Sequence, residues 1–185
     1  MTKQIKIAIL YTIITAVLLG IVYPFAVTGV ARMLFRNKAD GQLISQNGRV
    51  IGSRIIGQPF TGPRYFNSRP SAAGAGYDAT SSGGSNLAAT SKTLVDRVNT
   101  SAAAEHNSAP PVDLVTASGS GLDPDISPAS ALYQVPGIAR ERKMSEDQLR
   151  QLVESHITPR QLGLLGEPRV NVLELNLALD AASTH

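Results

Sequence analysis

From Ile7 to Ala31 the chain reads IAILYTIITAVLLGIVYPFAVTGVA without one charged residue, and no other stretch restricts its folding options as much. As a helix rising about 1.5 Å per residue, this run reaches roughly 38 Å, more than a ~30 Å hydrocarbon core. It lacks the polar face that a surface helix of a soluble core would show. A cleaved signal peptide competes, because Gly29 and Ala31 have the spacing of a cleavage site. Signal peptides, however, carry only about 7 to 15 apolar residues. The expectation is a short terminus over residues 1–6, a transmembrane helix over 7–31, and one soluble α+β domain over 32–185. The lipid bilayer is the first partner implied.

Within the run, Ala16 and Gly20 stand four apart on one helical face, which permits close approach of another helix. Pro24 removes a hydrogen bond and predicts a local kink. Lys3 and Lys6 before the run balance Arg32, Arg36 and Lys38 after it, so charge alone does not orient the span. The net charge of +3 is too small and too scattered for a nucleic-acid surface. With no cysteine, a disulfide framework, thiolate metal sites and a cysteine nucleophile are excluded together.

After the span, Gln42-Leu43-Ile44 and Arg49-Val50-Ile51 flank Asn47-Gly48, a pair suited to the two positive-φ positions of a type I′ hairpin turn. Pro59, Gly62 and Pro63 then break regular structure, and Tyr65-Phe66 supplies an apolar anchor. A helix is expected from Thr90 or Ser91, with Leu94, Val95, Val98 and Ala102 inward and Asp96, Arg97 and Glu105 off that face. Val112 to Ala117 reads as a strand. Ser127-Pro128 is a cap followed by proline at the first helical position, placing Asp123 and Asp125 beside a helix N-terminus. Those two acids lack the glycine and the twelfth-position glutamate of a calcium loop. Arg140 to Lys143 reads as a solvated basic helix face. Ser145 and Gln148 form a capping box, opening a helix with Leu149, Leu152, Val153 and Ile157 inward. The closing run predicts a short strand near Val170 and a helix from Val172. His106, His156 and His185 have no ligand spacing and read as exposed polar residues.

The densest signal lies between Gly52 and Leu94, and its centre is Ser82-Gly83-Gly84-Ser85-Asn86. Gly83 and Gly84 allow positive φ or tight packing, while the short polar side chains can bond neighbouring amides. The segment is either a fixed structural or docking loop, or an anion nest of successive N–H groups. No lysine follows at Walker spacing, which excludes a P-loop.

These motifs occur in one order: GSxxIGQxF at Gly52 to Phe60, RPSA at Arg69 to Ala72, SGGSNL at Ser82 to Leu87, and VTASxSGLD at Val115 to Asp123. ISPxxA at Ile126 to Ala131, QVP at Gln134 to Pro136 and VNVLxLNxALD at Val170 to Asp180 follow. In this the chain resembles the C subunit of the Kdp potassium-transporting ATPase, the KdpC family. It departs locally, since Ala88-Ala89 and Ser91-Lys92 stand where the family commonly has Gly-Pro and Asn-Pro. The resemblance implies a single-pass, non-catalytic subunit of the cell inner membrane with a cytoplasmic amino terminus and a periplasmic domain. It implies assembly with Kdp A, B and F subunits, and a catalytic-chaperone role that raises the affinity of the B subunit for ATP. Ser82 to Gly84 are similar to part of the ABC-transporter signature, although Ser85 replaces its glutamine. Under one expectation Ser82, Gly83, Gly84, Ser85 and Asn86 handle nucleotide. Under the other they dock a subunit, and the domain is an outer-side cap on the channel-like A subunit.

Overall fold

The computed structural model describes residues 2–104 and 109–182 and divides into two compact units, Met1–Leu43 and Ile44–His185. The first unit is one helical run, Thr2–Ala39, the single stretch among the described residues long and apolar enough to cross a membrane. It consists of α1 (Thr2–Val17), a π-helical turn over Leu18–Val22, and α2 (Tyr23–Ala39). The irregularity expected at Pro24 therefore takes the form of a widened turn just before the proline, and a separate break in helical geometry falls at Phe35 (φ −136°). No residue of this run is buried, which leaves its apolar surface for a solvent other than water.

The second unit is mixed helix and sheet. The hairpin of β1 (Leu43–Gln46) and β2 (Arg49–Ser53) turns at Asn47 (φ 53°) and Gly48 (φ 75°), the two positive-φ positions that its sequence supplies. A long coil with local turns leads to α3 (Lys92–Ala104), where the Ser91 carbonyl accepts the first N–H bonds, from Leu94 and Val95. The inward face of α3 is only half-covered, and Val95 is 49% exposed.

Next comes α4 (Val112–Val115), where a strand was expected. A strand here would need an edge to pair with, whereas one helical turn satisfies itself, through Leu114 N–H to the Pro111 carbonyl and Thr116 N–H to the Val112 carbonyl, both at 3.0 Å. It also buries the adjacent Leu114 and Val115 together. The three-stranded antiparallel sheet has the order β3 (Asp125–Ile126), β5 (Arg169–Asn171), β4 (Ile157–Thr158), with Val170 opposite both Ile126 and Ile157.

On this sheet pack α5 (Pro128–Arg142) and α7 (Val172–Ala182), and α6 (Glu146–Ser155) packs against both helices. Ser127 caps α5 by accepting from Ser130 N–H at 3.1 Å, Ser145 caps α6 by accepting from Gln148 N–H at 3.4 Å, and Asn171 accepts from Glu174 N–H at 3.1 Å. Pro136 sits inside α5 without ending it. The core gathers Ile126, Val135, Ile138, Leu149, Val153, Val170, Val172, Leu175 and Leu179 around Phe66, which is fully buried as its anchor role requires.

Phe66 arrives on an extended segment with no strand partner, and side chains take the place of one. Asn176 accepts from Phe66 N–H and donates to the Phe66 carbonyl, both at 2.9 Å. Gln134 serves Asn67 in the same way, at 2.8 and 3.2 Å. Arg142 donates to the Arg64 carbonyl at 2.7 Å. The last contact corrects the reading of Arg140 to Lys143 as a solvated face. The Arg142 side chain is only 4% exposed, lies over the Tyr65 ring at 4.7 Å and pairs with Asp180 at 2.7 Å, while Arg140, Glu141 and Lys143 stay exposed.

Candidate functional site

The motif-bearing loops converge on one polar junction. The Ser71 hydroxyl donates to the Gly121 carbonyl at 2.6 Å and accepts from the N–H groups of Ala73 at 3.1 Å and Tyr77 at 2.7 Å. Tyr77 holds positive φ (55°), and its phenol donates to the Arg69 carbonyl at 2.7 Å. Burial pushes that phenol above the ordinary tyrosine range. Arg69 extends across to the facing loop, donating to Thr116 Oγ1 at 3.3 Å, the Ala117 carbonyl at 3.4 Å and the Asp123 carboxylate at 3.5 Å. From the hairpin side, Gly57 N–H donates to the Leu122 carbonyl at 2.8 Å, an approach so close that a Cβ there would meet the Asp123 carbonyl at 2.5 Å.

The Ser82 to Asn86 loop lies against the same facing loop. Gly83 N–H donates to the Ser120 carbonyl at 2.9 Å, and the Ser82 hydroxyl donates to that same oxygen at 3.0 Å. A Cβ on Gly84 would sit 3.1 Å from the Gly119 carbonyl, so close packing is what this glycine provides. The positive φ of the loop falls on Asn86 (52°) rather than on either glycine. Across the contact, Gly121 (φ 66°) leaves no room at all, since a Cβ would lie 2.6 Å from both the Ala73 nitrogen and the Gly83 carbonyl. Ser85 is half-buried and Asn86 exposed. The five residues singled out in the sequence thus form one braced segment, and the Gly83 amide that an outward-facing nest would use is taken by Ser120.

Beside the junction runs an open groove of about 360 Å³ lined by Arg69, Asp113, Asp123, Asp125, Ser127 and Arg169, among others. Its acids are matched one by one. Asp123 faces Arg69, and Asp125 pairs with Arg169 at 3.1 Å while accepting from Asn171 at 3.1 Å. Burial raises the Asp125 carboxyl above its usual range, against the opposing pull of Asn171 and Arg169. The acid that reaches the N-terminus of α5 is Asp113, not Asp123 or Asp125. It accepts from Ser127 N–H at 2.7 Å, from the Ser127 hydroxyl at 3.2 Å, and from the Ser130 hydroxyl. Burial alone would raise the Asp113 carboxyl, but the bonds from Ser130 and Ser127 outweigh it and hold the group below the ordinary range.

Among the described residues no three His, Asp or Glu side chains gather as a metal site. His156 is half-buried, with Nδ1 2.8 Å from the Leu152 carbonyl, in place of the exposed position expected, and His106 and His185 lie outside the described residues, as does Glu105. Asp113, Asn176 and Arg142 were not singled out as structural ties. Their partners lie 14, 110 and 78 residues away, beyond the reach of any local spacing rule.

A small mixed domain carried behind one candidate membrane helix, with its sequence motifs spent on tying loops together, defines the class as a membrane-associated subunit. The family model described as "K+-transporting ATPase, c chain" matches residues 5–181, and the chain belongs to this KdpC family. It is 61% identical to the "Potassium-transporting ATPase KdpC subunit" of Koribacter versatilis (strain Ellin345), over 97% of this chain and 95% of that one. The subunit of the same description from Acidobacterium capsulatum is 58% identical, over 96% and 98% of the two chains. That from Rhodopseudomonas palustris (strain BisB18) is 52% identical, over 98% and 100%.

Proposed function

We propose that the chain is the accessory subunit of an ATP-driven potassium uptake complex of the inner membrane. Its amino terminus lies in the cytoplasm and its domain on the outer side. It assembles with a channel-like A subunit, a P-type ATPase B subunit and a small F subunit, supports their assembly, and acts as a catalytic chaperone that raises the ATP affinity of B. Family membership supports the complex. For the loop, the carrying observation is that the Gly83 amide and the Ser82 hydroxyl both end on the Ser120 carbonyl. A loop whose donors are used internally offers a partner its shape rather than a phosphate cradle, so ATP is held by B and sensed here through subunit contact. The same observation favours a second reading, a purely structural cap on A with no influence on nucleotide.

Complex yield and ATP affinity, measured on Gly84→Val and Ser85→Ala, separate these readings. A branched side chain at Gly84 pushes the loop off Gly119, so yield falls. If the loop transmits the chaperone effect, the complex that still forms binds ATP more weakly; unchanged affinity in that complex supports the cap. Ser85→Ala leaves both quantities near wild type. Weakened ATP binding at full yield in Ser85→Ala would overturn docking in favour of direct phosphate contact.

A further inference from the structure

In the candidate span the Leu19 carbonyl loses both of its regular helical donors, the N–H groups four and five residues ahead. Pro24 lacks an N–H, and in a regular α-helix its ring would collide with the Gly20 carbonyl. The π-helical turn over Leu18–Val22 relieves that collision, and in it Tyr23 N–H donates to the Leu18 carbonyl. Leu19 is stranded as a result: the donor four residues ahead, Tyr23, is committed to Leu18, and the residue five ahead is Pro24. The hydroxyls of Thr12 and Thr15 do not help, because they bond the carbonyls of Ala8, Tyr11 and Thr12. Gly20 shares the Leu19 peptide unit, and a Cβ built on it meets nothing within 4 Å, so one flank of this carbonyl is bare.

Hydrocarbon offers no donor, and an unsatisfied backbone group there carries a free-energy cost that a donor on a neighbouring helix removes. In a second copy of this span Thr12 and Thr15 already serve their own helix, which leaves Tyr11, Tyr23 and Thr28 as its hydroxyls. Resting on the reading that α1 and α2 cross the bilayer, we propose that the Leu19 carbonyl accepts a hydrogen bond from a hydroxyl or carboxamide side chain on a transmembrane helix of a partner subunit, packed over Gly20. The π turn then serves as a polar latch within an otherwise apolar contact.

Carbonyl-13C leucine combined with 15N glycine selects Leu–Gly peptide units, which occur in the sequence at 19–20, 162–163 and 165–166. Leu162→Met with Leu165→Met leaves only the first. Solid-state NMR in bilayers then reads the Leu19 carbonyl shift, which moves downfield when the oxygen accepts a bond. The expected result is an upfield position for the isolated subunit in phosphatidylcholine vesicles and a downfield one in the whole complex. The position returns upfield with Gly20→Leu, whose side chain lifts the partner helix away. Pro24→Ala, which restores the N–H, should already be downfield in the isolated subunit. Equal upfield positions for isolated subunit and complex overturn the inference and leave the membrane reading intact. A downfield position in the isolated wild-type subunit overturns the partner helix, because water or a second copy of the span then supplies the donor. A downfield position in the complex that survives Gly20→Leu assigns the donor to trapped water and overturns the partner helix.

Discussion

Asn176 is a single buried amide doing the work of a neighbouring strand for Phe66, by accepting from its N–H and donating to its carbonyl. Asn176→Ala leaves two buried backbone groups without partners, and at about 1 to 3 kcal/mol for each orphaned group the domain should lose about 3 kcal/mol. Asn176→Leu should do no better, because filling the volume does not restore the bonds. Denaturant midpoints of the three proteins check this, and a Leu variant as stable as wild type would refute it. Asp113 makes a prediction in pH. Its folded pKa lies below the unfolded value, so its contribution is complete above the unfolded carboxylate value near 4 and is lost as pH falls through the folded one. Asp125, raised by burial, has the opposite sign: its contribution is present below the unfolded pKa and is lost as pH rises through the folded pKa. Asp113→Asn should therefore flatten the acid limb of stability against pH, as read by melting temperature in steps below pH 5. Caps such as Ser127 and Ser145 were legible in sequence because donor and acceptor lie three residues apart. Asp113 was not, since the serines it meets depend on how α4 and α5 come together.

Among the elements, the hairpin turn at Asn47-Gly48 and the strand-to-helix change at Asn171-Val172 follow from local spacing, and both form where the sequence places them. The stretch from Val112 misled because two adjacent apolar residues suit a strand or a turn of helix equally, and here a turn of helix buries both Leu114 and Val115. The central loop was legible as a fixed polar segment, but the glycine that most constrains it lies elsewhere. Gly83 has open space at its Cβ position, whereas Gly121 combines φ 66° with contacts at 2.6 Å to Ala73 and to Gly83 itself. Gly121→Ala must force the RPSA turn and the SGGSN loop apart at once. A backbone overlap of this kind costs at least about 1 to 3 kcal/mol, to which left-handed strain adds about 1. Gly83→Ala should be nearly neutral to stability. Thermal melts of the two variants side by side test the contrast, and equal losses would show that the loop is held by something other than its contact with Gly121.

At the scale of the whole molecule, every buried hydrophobic residue among the described residues lies at or after Phe66, and α1 and α2 contribute none. The stability of the domain is therefore generated within the second unit. Folding energy follows apolar area removed from water, and the first unit removes none from water within this chain. On the proposed reading its apolar area is hidden by lipid or by partner helices, which places its value in attachment rather than in folding. Removing residues 1–43 should accordingly leave a soluble domain whose melting temperature stays within about 4 °C of its value in the full chain, the shift expected for a change of about 1 kcal/mol in a domain of this size. The same truncation should abolish co-purification with the partner subunits if the span carries a docking contact, since a domain with no helix in the bilayer loses both its anchor and the face around Gly20. Far-ultraviolet dichroism with thermal melting reads the first half, and complex yield on a tagged partner reads the second. An unfolded truncated domain would mean that the helix supplies part of the core, contrary to the burial seen here. A folded domain that still assembles at full yield would place the binding energy in the outer loops alone, with the SGGSN brace as the first segment to test.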